Sequence, residues 1–514
     1  MNLVEMLSEA AANYDERPAV VHGERDVSFN RLDEMSSSFG AALCGRGIKK
    51  GDRVALLLGN SIDFVIAYFG IVKTGAIAVL LDPKYKSEEL MPLLEDSRPR
   101  AAVCEIESLE SPIYQIKERC GIEFLVNVAN HTQVHAISFS DFISVSNEGY
   151  EPVPLDDGDP AHISYTSGPS FSPKGVVAPH GNLVAEIRIS AASFAQGSGD
   201  TVIQFALPMH HVIGLTVVML ASIHCGSRLV ILNGVSIDNL LSAIERHNIT
   251  MFMGVPFIHS MVLRRIKTEG MRHSLGSLRV CASAGDILPV EIVQNYFRLL
   301  NIRLINFYGL TETLGHVTCE PINRPSRSGS VGPALPGWKI LIAGPDSAKI
   351  PPGQPGEVVI SGPMMSGYYK NPEATAEIIR DGWLHTGDRG LLDEDGYLYM
   401  LGLQKDMLIC KGQNIFPSDV EHVLCEHGSV AEAAVVGVPD KMRGEVVGAA
   451  LVLKKGVHCS EAALVKFCLE RLANYKVPKY IVFQESLPRS IGGCVDKALV
   501  RNLFMGLNRG DKEE

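Results

Sequence analysis

Arg53-Val54-Ala55-Leu56-Leu57-Leu58, ended by Gly59-Asn60, and Ala76-Ile77-Ala78-Val79-Leu80-Leu81, ended by Asp82-Pro83, flank a stretch at 61–74 with helical spacing that stops at Gly75. Short continuous apolar runs divided by a helix predict parallel strands covered on both faces, because a half-solvated strand alternates instead. The same texture recurs at 201–207, 228–232, 250–254, 278–282 and 303–307, which predicts large α/β sheets with crossover helices. Residues 4–14 also have helical spacing. From Pro333 the texture changes. Pro336-Gly337, Pro351-Pro352-Gly353, Pro355-Gly356 and Gly362-Pro363 punctuate short β runs such as 357–361, so a β-rich subdomain is expected over about 333–404. After Leu403, helices at 419–427 and 460–472 and strands at 431–438 and 446–453 predict a compact α+β domain. The expected fold class is α/β: a large N-terminal domain over 1–404, built of α/β sheets plus the β-rich subdomain, and a small α+β C-terminal domain over 405–514.

Composition narrows the function. The chain has 514 residues, more than one hydrophobic core usually holds. A net charge of -11 without a basic stripe argues against nucleic acid as the main partner. The eleven cysteines include no CxxC pair and no Cys/His cluster with metal-ligand spacing, which reads as reduced thiols in a cytoplasmic protein. The first residues, Met1-Asn2-Leu3-Val4-Glu5, show no basic n-region, and no apolar run reaches the roughly 18 residues of a membrane span.

Three segments carry candidate chemistry. Tyr165-Thr166-Ser167-Gly168, running to Pro173-Lys174-Gly175, follows a strand at 161–165. Its hydroxyls and backbone N–H groups suit a phosphate cradle, with Lys174 as a point charge, and it reads equally as an ordinary surface loop. Tyr308-Gly309-Leu310-Thr311-Glu312-Thr313 follows a buried strand and so sits at the sheet edge where α/β folds bind ligands. Gly382-Trp383-Leu384-His385-Thr386-Gly387-Asp388 ends on a carboxylate in turn chemistry.

These segments, followed by Lys405-Asp406, Gly412 and Pro417 in the same order, resemble the adenylate-forming superfamily of acyl-CoA synthetases, nonribosomal adenylation domains and beetle luciferases. The resemblance runs from Leu3 to about Leu503. It implies ATP, Mg²⁺ and CoA. Thr166, Ser167, Gly168 and Lys174 would meet phosphates. Tyr308 and Gly309 would lie on adenine, Thr311 on phosphate, and Glu312 on Mg²⁺. Asp388 would accept from the ribose hydroxyls. Ser283 and Gly285 would supply backbone around the adenine and acyl sites. His211 would stand beside the acyl pocket, its neighbour His210 leaving an off-by-one ambiguity. Lys405 would be the hinge of a mobile C-terminal domain that forms the adenylate in one pose and brings thiol to it in the other.

The chain also departs from that pattern. Pro169-Ser170-Phe171 replaces Thr-Thr-Gly, Leu403 replaces an arginine, and Cys494 stands where the family's adenylation lysine would be. Lys497, three residues on, reads as a surface lysine on the closing helix. The implied activity is a carboxylic acid–CoA ligase whose adenylation half-reaction is selectively impaired. The alternatives are acyl transfer to a separate carrier protein, and a catalytically degenerate paralogue that binds nucleotide or acyl-CoA. The absence of a fused carrier domain favours CoA, and the apolar pocket segments favour a fatty or aromatic monoacid.

Overall fold

The structure is a computed structural model that describes residues 1–129, 135–166, 173–344, 349–403, 408–410, 412–440, 443–489 and 495–505. The chain divides into two units: one takes in Met1–Pro83, Ser97–Thr166 and Lys174–Gln404, the other Lys84–Asp96, Ser167–Pro173 and Lys405–Glu514.

The first unit holds two eight-stranded sheets and an antiparallel one. The first sheet begins at its edge with Thr318–Cys319, Leu304–Tyr308, Val280–Ser283 and Met251–Gly254, and continues through Thr201–Phe205 and Arg228–Leu232. Leu304–Tyr308 to Arg228–Leu232 run parallel. In the second sheet Pro160–Thr166, Ile77–Leu80, Arg53–Leu57, Ala101–Cys104 and Phe124–Asn127 are parallel neighbours. All four residues of Ile77–Leu80 and of Ala101–Cys104 are buried, as two-sided cover requires. The helix Ile62–Lys73 starts where Ser61 Oγ accepts from Phe64 N at 3.1 Å, an N-cap that satisfies a helix-end donor.

The third sheet is antiparallel, in the order Ser330–Pro333, Tyr397–Leu403, Trp383–Leu392, Gly356–Ser361, Lys339–Ala343. It differs from the expected subdomain at 333–404 in two ways. It begins at Ser330, and Gly367–Tyr368 leaves it to pair with Lys174–Pro179 at the edge of the second sheet. Gly367 makes that exit at φ +143, and a Cβ there would come within 2.9 Å of Thr375 Cγ2, so only glycine fits without displacement.

In the second unit, Gly444–Leu453 is flanked by antiparallel Val430–Asp440 and parallel Tyr480–Phe483, with Leu408–Cys410 and Gln413–Ile415 at one edge. Helices Pro417–Glu426 and Glu461–Arg471 lie close to the expected positions. Lys497 opens the helix Lys497–Asn502 and is partly exposed, as expected of a lysine on the closing helix, and it also donates to Glu421 Oε1 and to Val435 O. A cluster that the sequence does not announce lies within this unit. Lys476, almost wholly buried, sits 2.8 Å from Glu89 Oε1 and 3.3 Å from Asp419 Oδ2. Burial opposes its charge, and Tyr85, Glu89 and Asp419 outweigh that, so its pKa is raised. Removing one partner of a buried ion cluster strands the others. Lys476→Met is therefore expected to destabilise this unit by about 3–5 kcal/mol, read from urea unfolding monitored within it.

Candidate functional site

The strand Leu304–Tyr308 ends in a loop that returns to antiparallel Thr318–Cys319. Val317 N donates to Tyr308 O at 2.8 Å and closes the loop. Thr311–Thr313 makes one 3₁₀ turn, followed by Leu314 at φ 60. Gly309 is dictated by space, since a Cβ there would fall 2.0 Å from Gly315 O. The Thr313 hydroxyl accepts from Leu310 N at 2.8 Å and reaches Gly315 O at 3.1 Å, tying the outgoing and returning limbs together.

Two predicted residues from distant parts of the chain meet directly: Tyr308 OH donates to Asp388 Oδ2 at 2.6 Å. Asp388 is 2 % exposed, and its backbone N donates to Thr386 Oγ1 at 3.0 Å. Burial, then Asp388, and more weakly Glu312, raise the Tyr308 pKa, so its proton stays on the phenol as the donor. A second group forms around Glu312, itself mostly buried. Tyr368 OH donates to Glu312 Oε1 at 2.8 Å, Met365 N donates to Glu312 O at 2.9 Å, and Lys174 Nζ lies 5.3 Å from the Tyr368 ring centroid. Thr166 and Lys174 pair in the antiparallel register of Pro160–Thr166 with Lys174–Pro179.

A third convergence involves the segments of Gly285, Val255 and Ile213. A Cβ on Gly285, whose φ is +83, would meet Val255 Cγ1 at 3.5 Å and Ile213 Cδ1 at 3.7 Å. Ser283 Oγ is buried with no hydrogen-bond partner among the described residues. Ile213 opens an apolar π-helix, Ile213–Leu220, just after the histidine pair. The two histidine rings are 4.5 Å apart. His210 is the buried one, its Nε2 3.9 Å from Asp82 Oδ2, whereas His211 is half-buried. Of the predicted residues, Ser167, Gly168, Lys405, Cys494 and the departure at Pro169-Ser170-Phe171 lie outside the described residues, as do the side chains of Thr166 and Leu403.

Sequence reasoning missed Tyr368 and Glu186. Glu186, on the helix His180–Ser193, is 0 % exposed. Its Oε2 accepts from Trp338 Nε1 and its Oε1 from His316 N, both at 2.9 Å, and Ser190 Oγ lies 3.2 Å from Oε1. No local pattern distinguishes this glutamate from the solvated ones of other helices.

The AMP-binding enzyme family matches residues 7–369, and the AMP-binding enzyme C-terminal domain matches residues 419–493. The chain belongs to this family of AMP-binding, adenylate-forming enzymes. It is 32% identical to a long-chain-fatty-acid–CoA ligase of Escherichia coli O6:H1, over 98% of this chain and 95% of that one. It is also 30% identical to a Rhodococcus jostii ligase that joins CoA to a methyl-dioxo-octahydroindenyl propanoyl group, over 96% and 97%. Among solved structures, a double mutant of o-succinylbenzoate CoA synthetase from Bacillus subtilis, bound to a product analogue, superposes with a TM-score of 0.86 at 29% identity, covering 97% and 98% of the two chains.

Two outcomes follow from the geometry. Gly309→Ala forces Gly309 and Gly315 apart and is expected to abolish MgATP binding measured by calorimetry, with the fold retained by circular dichroism. Glu186, raised by burial from 4.5 to about 8, keeps when folded a proton that the unfolded chain has released, so its contribution makes stability fall as pH rises between those values. His162, His259 and His316, lowered by burial to about 3, 4 and 3, act in the opposite direction and only below their ordinary 6.5. Between pH 6.5 and 8 the melting temperature is expected to fall in the parent, and to fall less in Glu186→Gln.

Proposed function

We propose that this protein is a carboxylic acid–CoA ligase that works through an acyl-adenylate. A carboxylate oxygen attacks the α-phosphorus of ATP and pyrophosphate leaves. The CoA thiol then attacks the acyl carbonyl, and AMP leaves. The observation that carries this reading is the pairing of Tyr308 with Asp388 beside the Glu312–Tyr368–Lys174 group, in a chain of this family. In it, Tyr308 faces adenine with Gly309 giving clearance, and Asp388 accepts from the ribose hydroxyls. Thr311 and Lys174 contact phosphate, together with Thr166, Ser167 and Gly168. Ser283 and Gly285 border the adenine and acyl sites, and His211 stands beside the acyl group. Lys405 is the hinge of a C-terminal domain that begins there.

The donor set fits Mg²⁺. Glu312 offers carboxylate oxygens, and the described residues contain no group of three His, Cys, Asp or Glu that would form an all-protein cage. That matches an ion held by one carboxylate and by substrate phosphates. Bound there, Mg²⁺ neutralises phosphate charge. The apolar π-helix Ile213–Leu220 beside Gly285 favours a fatty acid, the substrate class in the name of the Escherichia coli relative. No helix among the described residues is long and apolar enough to cross a membrane, and the ten described cysteines form no disulfide, which supports a place in the cytoplasm.

Cys494 favours a second reading, in which adenylation is impaired. A thiol does not supply the cation expected there while charge builds at phosphorus. The test separates the half-reactions. Pyrophosphate release from ATP is followed with a panel of fatty acids, and acyl-CoA formation is followed from synthetic acyl-adenylates, for the parent and for Cys494→Lys. The parent is expected to complete the second half. Cys494→Lys is expected to raise the first by roughly 10²–10³, the usual effect of one positioned charge-stabilising donor. Equal first-half rates in the two proteins overturn the impairment. Silence in both halves, with nucleotide bound, favours the degenerate paralogue. Product formed only when a carrier protein replaces CoA favours the acyl-carrier alternative.

A further inference from the structure

The polar cluster around Glu186 lies behind the loop that carries Thr311 and Glu312, and the chemistry above does not use it. His316 completes it. The ring is 1 % exposed, packed between Phe194 and Phe307 at centroid distances of 5.3 and 5.0 Å. Its Nδ1 is 3.2 Å from Ser190 Oγ and its Nε2 is 2.9 Å from Ser193 Oγ.

The side chains form one connected run. Ser190 Oγ donates to Glu186 Oε1 at 3.2 Å and touches the His316 ring on its other side. Ser193 Oγ reaches Ser190 O at 2.8 Å as well as the ring. The two N–H groups of Trp338 and His316 are directed at the carboxyl oxygens. Burial raises Glu186 to about 8 and lowers His316 to about 3. A buried carboxyl without these partners would be strongly disfavoured.

The cluster reaches the candidate site through two neighbouring residues. A Cβ on Gly315 would lie 2.3 Å from Glu186 Oε1, so the carboxyl packs directly on that backbone. The next residue gives its N–H to the same oxygen. Gly315 O in turn lies against Gly309 and Thr313 Oγ1. The returning limb of the loop is therefore anchored from behind, and its position fixes the outgoing limb.

We propose that Glu186 is a positioning residue for nucleotide binding. It fixes Gly315 and His316, and through them sets where Thr311 and Glu312 stand. What those two residues hold rests on the ligase reading above.

The test compares the parent with Glu186→Ala, Glu186→Gln and Trp338→Phe as full-length proteins. MgATP affinity is measured by calorimetry, the KM values for ATP and CoA in the coupled assay, and the fold by circular dichroism. Glu186→Ala is expected to weaken MgATP binding and raise the KM for ATP about tenfold, leaving the KM for CoA unchanged. Glu186→Gln has one amide oxygen for the two N–H groups of Trp338 and His316, so it keeps one of those bonds and is expected to fall between the parent and Glu186→Ala. A purely structural role would lower the active fraction, and so kcat, without moving MgATP affinity. A folded Glu186→Ala with unchanged affinity overturns the proposal. Should that variant fail to fold, Trp338→Phe decides: about threefold weaker binding supports the proposal, and unchanged binding overturns it. A parent that binds MgATP but is silent in both half-reactions with every acid defeats the ligase reading, and the affinity comparison still decides the role of Glu186. A parent that binds no MgATP overturns both.

Discussion

The 2.6 Å hydrogen bond between Tyr308 and Asp388 joins two pieces of secondary structure with little else in common. Tyr308 ends a parallel strand of the first eight-stranded sheet, and Asp388 lies mid-strand in the antiparallel one. Asp388 is buried and Tyr308 half-buried, so leaving the carboxylate unpaired would carry a desolvation penalty. The contact ties the two sheets together at the point where the residues proposed to bind nucleotide gather. Close backbone approach sets the glycines nearby: Gly309 and Gly315 pass each other at backbone distance within the loop after Tyr308, and Gly367 turns the chain at positive φ towards Lys174–Pro179. Tyr368, delivered by that turn, then bridges the Glu312 carboxylate and Lys174.

The parts of this arrangement that rest on local physics are readable from the chain. The apolar run at 228–232 is the strand Arg228–Leu232, and the helical stretch at 61–74 is Ile62–Lys73 with its serine cap. Both follow from periodicity and end signals over a dozen residues. The family motifs are also compact stretches, which is why Tyr308, Glu312 and Asp388 stand out before any coordinates are known. What stays hidden is long-range polar pairing. Glu186 meets His316 and Trp338 across 130 and 152 positions, and Tyr368 meets Glu312 across 56. Lys476 and Asp419 are 57 apart and look like ordinary surface charges in sequence. A charge that will be buried and a charge that will be solvated carry the same local signature. The difference lies in a partner that only the fold supplies.

The same distinction bears on the lysine that the family resemblance leads one to expect at position 494. An adenylating enzyme must bring a carboxylate to a polyphosphate, so positive charge has to be in place before the anions meet. Cations on rigid secondary structure and cations carried on a moving domain meet that need differently. Lys174 belongs to the first kind: it begins the strand Lys174–Pro179 and sits over the ring of Tyr368, whose hydroxyl already engages Glu312. Position 494 belongs to the second kind under the two-pose reading, since it lies beyond the hinge assigned to Lys405. Lys497 cannot simply take over, because it is already committed to Glu421 and the Val435 carbonyl, and leaving them would strand a half-buried carboxylate. Under the proposed reading, a thiol at 494 weakens the step that needs the second cation and spares the step in which thiol attacks an adenylate already formed.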